Sequence, residues 1–182
     1  TKGFERGTGL LPHQVAAEVL GTNLPMAVLS GPTFAKEVGA GMPTAMTVAS
    51  TDADFALEMA RSLSDLHFRA YTSSDLIGVE VGGAVKNVLA IGAGISDGLG
   101  FGANSRVALI TRGLVEMTRL GIALGARQET FVGLAGLGDL VLTCTGSLSR
   151  TRAVGYRLGK GEPLQAILAD MTAVAEGVET TR

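Results

Sequence analysis

The pattern of apolar and polar positions changes character once along the chain. Up to residue 71 it alternates between two periods. A helical spacing at 12–21 precedes the strand-like run "MAVLS" at 26–30, and a helix is predicted to open just after it. "TAMTVAS" at 44–50, the helical "DADFALEMARSLS" at 52–64 and the strand-like "FRAY" at 68–71 follow. Such alternation predicts an α/β layer. From Ser74 onward the apolar segments lengthen and read as helices at 75–95, 104–124, 126–135, 147–159 and from about 163. The break near residues 71–75 divides the chain into an α/β part, 1–73, and an all-helical part, 74–182.

Within the second part, "VGGAVKNVLAIGAG" at 81–94 is apolar except for Lys86 and Asn87. On a helix, Lys86 shares its face with Val79, Gly82, Gly83, Ala90 and Ala93. The opposite face, Ile77, Val81, Val85, Val88 and Ile95, holds the bulkier side chains and is the one expected to pack a core. A lysine on so bare a face either snorkels to solvent beside a close helix crossing, or offers its amine to a small molecule that the glycines let approach.

Composition narrows the choice. The 26 glycines among 182 residues are about twice the ordinary share of roughly 7% and lie in ordered-looking apolar segments, so they imply close packing more than flexible linkers. A net charge of -2 offers no broad basic surface for nucleic acid. One cysteine, Cys144, cannot form an internal disulfide, and His13 and His67 lie too far apart in sequence to imply a metal cluster, so a reducing, cytoplasmic setting is expected. Neither a signal peptide nor a membrane span is read from the apolar runs.

Four motifs carry candidate chemistry. "GAGISDG" at 92–98 is close to the dinucleotide fingerprint G-x-G-x-x-G, but its third glycine comes one residue late and a helical pattern precedes it, so it reads as a helix ending in a turn. "GLAGLGD" at 133–139 matches more weakly still. In "SGPTFAKE" at 30–37, Ser30 can cap a helix and Pro32 suits its first turn, which would place Gly31 and Thr33 at a strand-to-helix junction of the kind that binds ligands. In "TCTGSLSRTRAVGYRLG" at 143–159, Ser149, Arg150, Thr151 and Arg152 fall at a helix start, where arginine is unfavourable unless an anion sits with it. Asp97 and Asp139, short carboxylates beside glycines, can cap helices or orient a catalytic group. An anionic small molecule near Lys86 is the common implication, with a desolvated amine suited to proton transfer near neutral pH.

Taken together, "TKG" at 1–3, "SGPTFAKE" at 30–37, "GGAVKNVLAIGAGISDGLGFGANSRVALITRGLVEM" at 82–117, "GLAGLGDLVLTCT" at 133–145 and "SR" at 149–150 resemble the bacterial-type NAD(P)-dependent glycerol-3-phosphate dehydrogenases. The resemblance implies an α/β remnant of a Rossmann-like nucleotide-binding domain over 1–73, followed by an all-α C-terminal dehydrogenase domain, the incomplete substrate-binding and catalytic part, over 74–182. It implies hydride exchange between sn-glycerol 3-phosphate and NAD or NADP, yielding dihydroxyacetone phosphate, in the service of phospholipid synthesis. Lys86 is then the catalytic proton acceptor. Substrate contacts fall on Lys2, Gly31, Thr33, Lys86, Asp139, Ser149, Arg150 and Thr151, the last standing where the family commonly has asparagine. Cofactor contacts fall on Lys2, Ala35, Arg150, Val174 and Glu176, and a homodimer is the family's expectation. The chain also reads as an internal segment lacking the N-terminal nucleotide-binding glycine loop, and weak cofactor binding by the segment alone is expected on that ground. A related hydroxy-acid dehydrogenase and a non-catalytic helical assembly module are the alternatives.

Overall fold

The structure, a computed structural model, describes residues 2–171 and 177–181. The first part is a three-stranded sheet with short helices around it. β1 (Val28–Ser30) pairs antiparallel with β2 (Thr44–Ala49), and β2 pairs parallel with β3 (Phe68–Ser73), with Ser30 opposite Thr47 and Thr44 opposite Phe68. The parallel pair requires a crossover, supplied by α3 (Ala53–Leu63), whose first turn is capped by Asp52 accepting from the amides of Asp54 and Phe55. α1 (Pro12–Leu20) precedes the sheet and α2 (Ala35–Gly39) follows β1. This β/α layer is the Rossmann-like region, and the regular elements described after it are all helices.

The expected cap in "SGPTFAKE" is not formed. Ser30 is the last residue of β1, the backbone turns at Gly31 with φ 154, and α2 opens only at Ala35, with Phe34 as its uncapped lead-in. Ser30 lies four residues before Phe34, the residue that leads into α2, so its hydroxyl does not stand at the cap position.

The central element is α4 (Leu76–Gly98), capped by Asp75, whose Oδ1 accepts from the Gly78 amide at 2.9 Å and whose Oδ2 accepts from the Arg127 amide at 2.9 Å. Around it stand α5 (Ala103–Ala123), α6 (Gln128–Phe131), α7 (Asp139–Thr145), α8 (Arg150–Gly159), α9 (Leu164–Ala169) and α10 (Gly177–Thr180). Helix α4 has the length and hydropathy of a membrane-crossing segment, yet 72% of that window is buried inside the fold, as suits the core helix of a packed domain.

The glycine and alanine face of α4 is the more deeply buried one, against expectation. Val79, Ala90 and Ala93 are inaccessible, while Ile77, Val85 and Ile95 on the bulkier face are only partly buried. Glycine explains the reversal. A Cβ on Gly94 would stand 2.1 Å from the Arg152 carbonyl oxygen and one on Gly98 2.4 Å from that of Tyr156; on α8, a Cβ on Gly155 would stand 2.0 Å from the Ile91 oxygen. The two helices meet backbone to backbone. "GAGISDG" is accordingly the final part of α4, ending in a turn at Leu99 and Gly100, and holds no phosphate loop.

Candidate functional site

Asp139 reaches its place through an irregular helix. The predicted helix 126–135 is instead α6, a π-helical turn at Leu134–Gly138, and α7 beginning at Asp139 itself. The glycines of "GLAGLG" permit this path: a Cβ on Gly136 would lie 2.3 Å from the Phe131 oxygen, and on α4 a Cβ on Gly82 would lie 2.6 Å from the Ala135 oxygen. Widened turns of this kind re-aim side chains at functional sites. Asp139 is therefore not a helix cap. It is 2% exposed and directed at α4.

There it stands between two ammonium groups. The Lys2 Nζ donates to Asp139 Oδ2 at 2.8 Å, and the Lys86 Nζ lies 2.6 Å from Oδ1. Lys86 also donates to Thr143 Oγ1 at 3.2 Å, and that hydroxyl in turn donates to the Asp139 carbonyl oxygen at 2.6 Å. Lys86 is 7% exposed, so the snorkelling reading fails. Burial first, and then the charge of Lys2, hold its pKa down at about 8, against the opposing pull of Asp139. An amine so poised can exchange a proton near neutral pH. Cys144, on the same helix as Thr143, is buried and its thiol is pushed up to about 12 by desolvation, which leaves it inert.

The lysine pair and the start of α8 face one cavity of about 440 Å³. Every described residue to which the family resemblance assigns a substrate or cofactor contact lines it, namely Lys2, Gly31, Thr33, Ala35, Lys86, Asp139, Ser149, Arg150 and Thr151, whereas the candidates Asp97 and Arg152 do not. Val174 and Glu176 lie outside the described residues. Phe34, Lys36, Asn87, Thr143 and Leu148 complete the wall and were not singled out from the sequence as site residues. Two of them had a signal: Asn87 is the next residue after the lysine, and Thr143 lies four residues beyond Asp139, one helical turn away.

The charges around the cavity are unequal. Among the described residues, Lys2, Lys36, Lys86 and Arg150 face it, with Asp139 as the one carboxylate. Ser149 caps α8 by accepting from the Arg152 amide at 3.2 Å, and Arg150 is exposed with no ion-pair partner among the described residues. Arg152 turns away from the cavity onto Asp97. An excess of fixed positive charge beside a helix N-terminus, walled by hydroxyls, suits a compact dianion. The residues also fit a nicotinamide nucleotide: Ser30 Oγ, 4% exposed and without a hydrogen-bond partner among the described residues, lies over Gly83 beside the Lys2 stem, leaving unspent hydrogen-bonding capacity next to the lysine helix.

A Rossmann-like layer joined to a helical body, with a tuned lysine between them, is the organisation of the two-domain nucleotide-dependent dehydrogenases. Comparison with known proteins narrows the class. The family model described as NAD-dependent glycerol-3-phosphate dehydrogenase C-terminus matches residues 75–182, and that described as the N-terminus of the same enzyme matches residues 1–56. The chain belongs to the NAD-dependent glycerol-3-phosphate dehydrogenase family.

Among its relatives, the glycerol-3-phosphate dehydrogenase [NAD(P)+] of Dechloromonas aromatica is 60% identical over 181 residues, covering 100% of this chain and 55% of that protein. The crystal structure of glycerol-3-phosphate dehydrogenase from Coxiella burnetii superimposes with a TM-score of 0.95 at 50% identity, over 100% of this chain and 55% of that one. The enzyme from Saccharomyces cerevisiae does so with a TM-score of 0.85 at 28% identity, over 98% and 54%. The chain thus spans about 55% of the length of the curated relatives it matches. One expectation is corrected by these findings. Residues 1–56 match the family's N-terminal model, so the chain carries sequence of the nucleotide-binding domain, and the expectation of a missing nucleotide-binding glycine loop is withdrawn on that finding. The expected weakness of cofactor binding rested on it and is not carried further.

Proposed function

We propose that the protein interconverts sn-glycerol 3-phosphate and dihydroxyacetone phosphate with NAD or NADP, and so supplies the backbone of glycerophospholipids. The observation that carries this reading is the Lys2–Asp139–Lys86 arrangement at the foot of an anion-attracting cavity. In oxidation, the neutral Lys86 amine takes the proton of the substrate's C2 hydroxyl; in reduction, the ammonium returns it. Asp139 and Thr143 hold Nζ in place, and Asp139 keeps the two lysines from repelling each other out of the site. Lys2 contacts both ligands. Ser149, Arg150 and Thr151 bind the phosphate, with the α8 amides completing its neutralisation. Gly31 and Thr33 contact the substrate and Ala35 the cofactor; Val174 and Glu176, outside the described residues, are kept as cofactor contacts on the family resemblance alone. The nicotinamide supplies the hydride acceptor or donor when bound, and the protein's part is alignment and proton exchange.

Residues 1–73 belong to the nucleotide-binding domain in this reading and 74–182 to the substrate domain, a division supported by the start of α4 at Leu76 and of the C-terminal family model at residue 75. A homodimer and a cytoplasmic location are part of the same proposal; exposed Val107, Val115 and Ile122, on one side of α5, support the first. The test is reduction of dihydroxyacetone phosphate by the intact protein with NADH and NADPH, beside dihydroxyacetone and a panel of 2-keto acids. A preference of about 10²-fold or more for the phosphorylated ketone is expected, since Lys36 and Arg150 at the cavity have no ion-pair partner among the described residues. Preference for a keto acid would establish the hydroxy-acid dehydrogenase instead.

A further inference from the structure

Arg152 stands in the first turn of α8, where the positive end of the helix disfavours a cation, and no ligand is needed to account for it. Its guanidinium donates from Nε at 3.0 Å and from Nη2 at 2.6 Å to Asp97 Oδ2, while Arg106 of α5 donates to Asp97 Oδ1 at 2.8 Å. All three side chains are largely shielded, Asp97 most of all, with a side-chain exposure of 9%. Neither Asp97 nor Arg152 lines the cavity.

What makes the pair consequential is where its ends are fixed. Asp97 is in the last turn of α4, three turns beyond Lys86 on one rigid helix. The Arg152 backbone amide is the one that Ser149 Oγ accepts from, and the Arg152 carbonyl lies directly over Gly94. One residue therefore fixes the cap of α8, the close crossing of α8 on α4, and, through its fork, the register between them. The backbone contacts at Gly94, Gly98, Gly155 and Gly159 and the packing of Ile91 and Ile95 with Val154 and Leu158 bring the two helices together without directional bonds between side chains; the bonds from Arg152 to Asp97 supply that direction.

We propose that Asp97 and Arg152 are positioning residues: they lock the first turn of α8 in register with the Lys86 helix, and so set how firmly Ser149, Arg150 and Thr151 hold the ligand's phosphate. This rests on the proposed reading of the cavity as a glycerol 3-phosphate site. Arg106, bonded to the other oxygen of the same carboxylate, keeps Asp97 aimed at α8.

The experiment uses the intact protein with Arg152→Lys, which keeps the charge and loses the fork, and Asp97→Asn, which keeps the shape and loses the charge. Two readouts are taken: steady-state kinetics with glycerol 3-phosphate, and binding of inorganic phosphate by calorimetric titration. Both variants are expected to raise KM for glycerol 3-phosphate about tenfold and to weaken phosphate binding by a similar factor, with kcat within threefold and the cofactor KM unchanged. A merely structural pair would lower thermal stability and the fraction of active protein, leaving KM and phosphate affinity of the folded fraction as in the parent, and that result overturns the proposal. Should one variant fail to fold, the other decides. A parent that binds phosphate without oxidising glycerol 3-phosphate refutes the functional reading alone, and the lock then stands or falls on the phosphate titration. A parent that binds no phosphate overturns the lock as well.

Discussion

Replacing Asp139 with asparagine removes the one carboxylate between two lysines while leaving the side chain's shape, and its consequence for Lys86 has a definite sign. In the parent, Asp139 Oδ1 at 2.6 Å supports the ammonium form of Lys86, against burial and the charge of Lys2, and the balance leaves the group at about 8. An opposite charge in direct contact is worth roughly one to three pKa units, so its loss lowers Lys86 by about two units, to about 6. Asparagine can still accept from one lysine, but its amide nitrogen then faces the other, a buried donor set against a donor. Two effects separate in the assay. The midpoint of the rising limb of kcat/KM for glycerol 3-phosphate oxidation moves from near pH 8 to near pH 6, because more of the amine is already neutral. The plateau falls by about 10²-fold, because the amine has lost its orienting contact. The midpoint belongs to the coupled lysine pair, and its direction is the test. A profile from pH 5 to 10 whose midpoint stays within half a unit of the parent's, or moves upward, refutes the claim that Asp139 sets the proton affinity of the site.

Two further outcomes follow from packing and from the same lysine. Gly94→Ala places a Cβ 2.1 Å from the Arg152 carbonyl and should cost about 3 kcal/mol or more in urea unfolding, whereas Gly92→Ala, whose Cβ would meet only the Leu109 side chain at 3.5 Å, should stabilise α4 by up to about 1 kcal/mol; equal effects would contradict the backbone crossing. Because Lys86 falls from 10.5 in the unfolded chain to about 8 in the fold, the folded state binds fewer protons between those values, and stability must rise with pH there. Relative to Lys86→Met, the parent should gain up to about 3 kcal/mol across that window and show a constant deficit below pH 8; a gap that widens with rising pH would contradict the sign.

Most elements were legible because their signals are local. β2, β3, α1 and α3 lie within a few residues of the apolar runs that announced them, since period and capping residues act over one or two turns. The lysine of "GGAVKN" was legible for a related reason: an isolated charge among small residues needs an explanation whatever the fold. What escaped is what depends on partners distant in sequence. Lys2 and Asp139 are 137 residues apart, and no pattern in either neighbourhood announces the pair. The face of α4 around Lys86 read as bare because volume was counted on one helix, whereas the glycines of α8 bring a second backbone against it. Arg152 read as an anion ligand because its helix position is visible in sequence and its true partner, Asp97, 55 residues away, is not. Ser30 read as a cap because the start of α2 only at Ala35 cannot be seen from the sequence of residues 30–37.

The claim on which the rest depends is that Lys86 carries the proton. It is tested most directly by the turnover of Lys86→Ala in the intact protein, with fold confirmed by circular dichroism, in the absence and presence of small primary amines that can enter the vacated space. The variant should turn over glycerol 3-phosphate about 10²-fold or more slowly, and the amines should restore part of that loss in proportion to their basicity. Turnover within threefold of the parent, unaffected by added amine, would contradict the account.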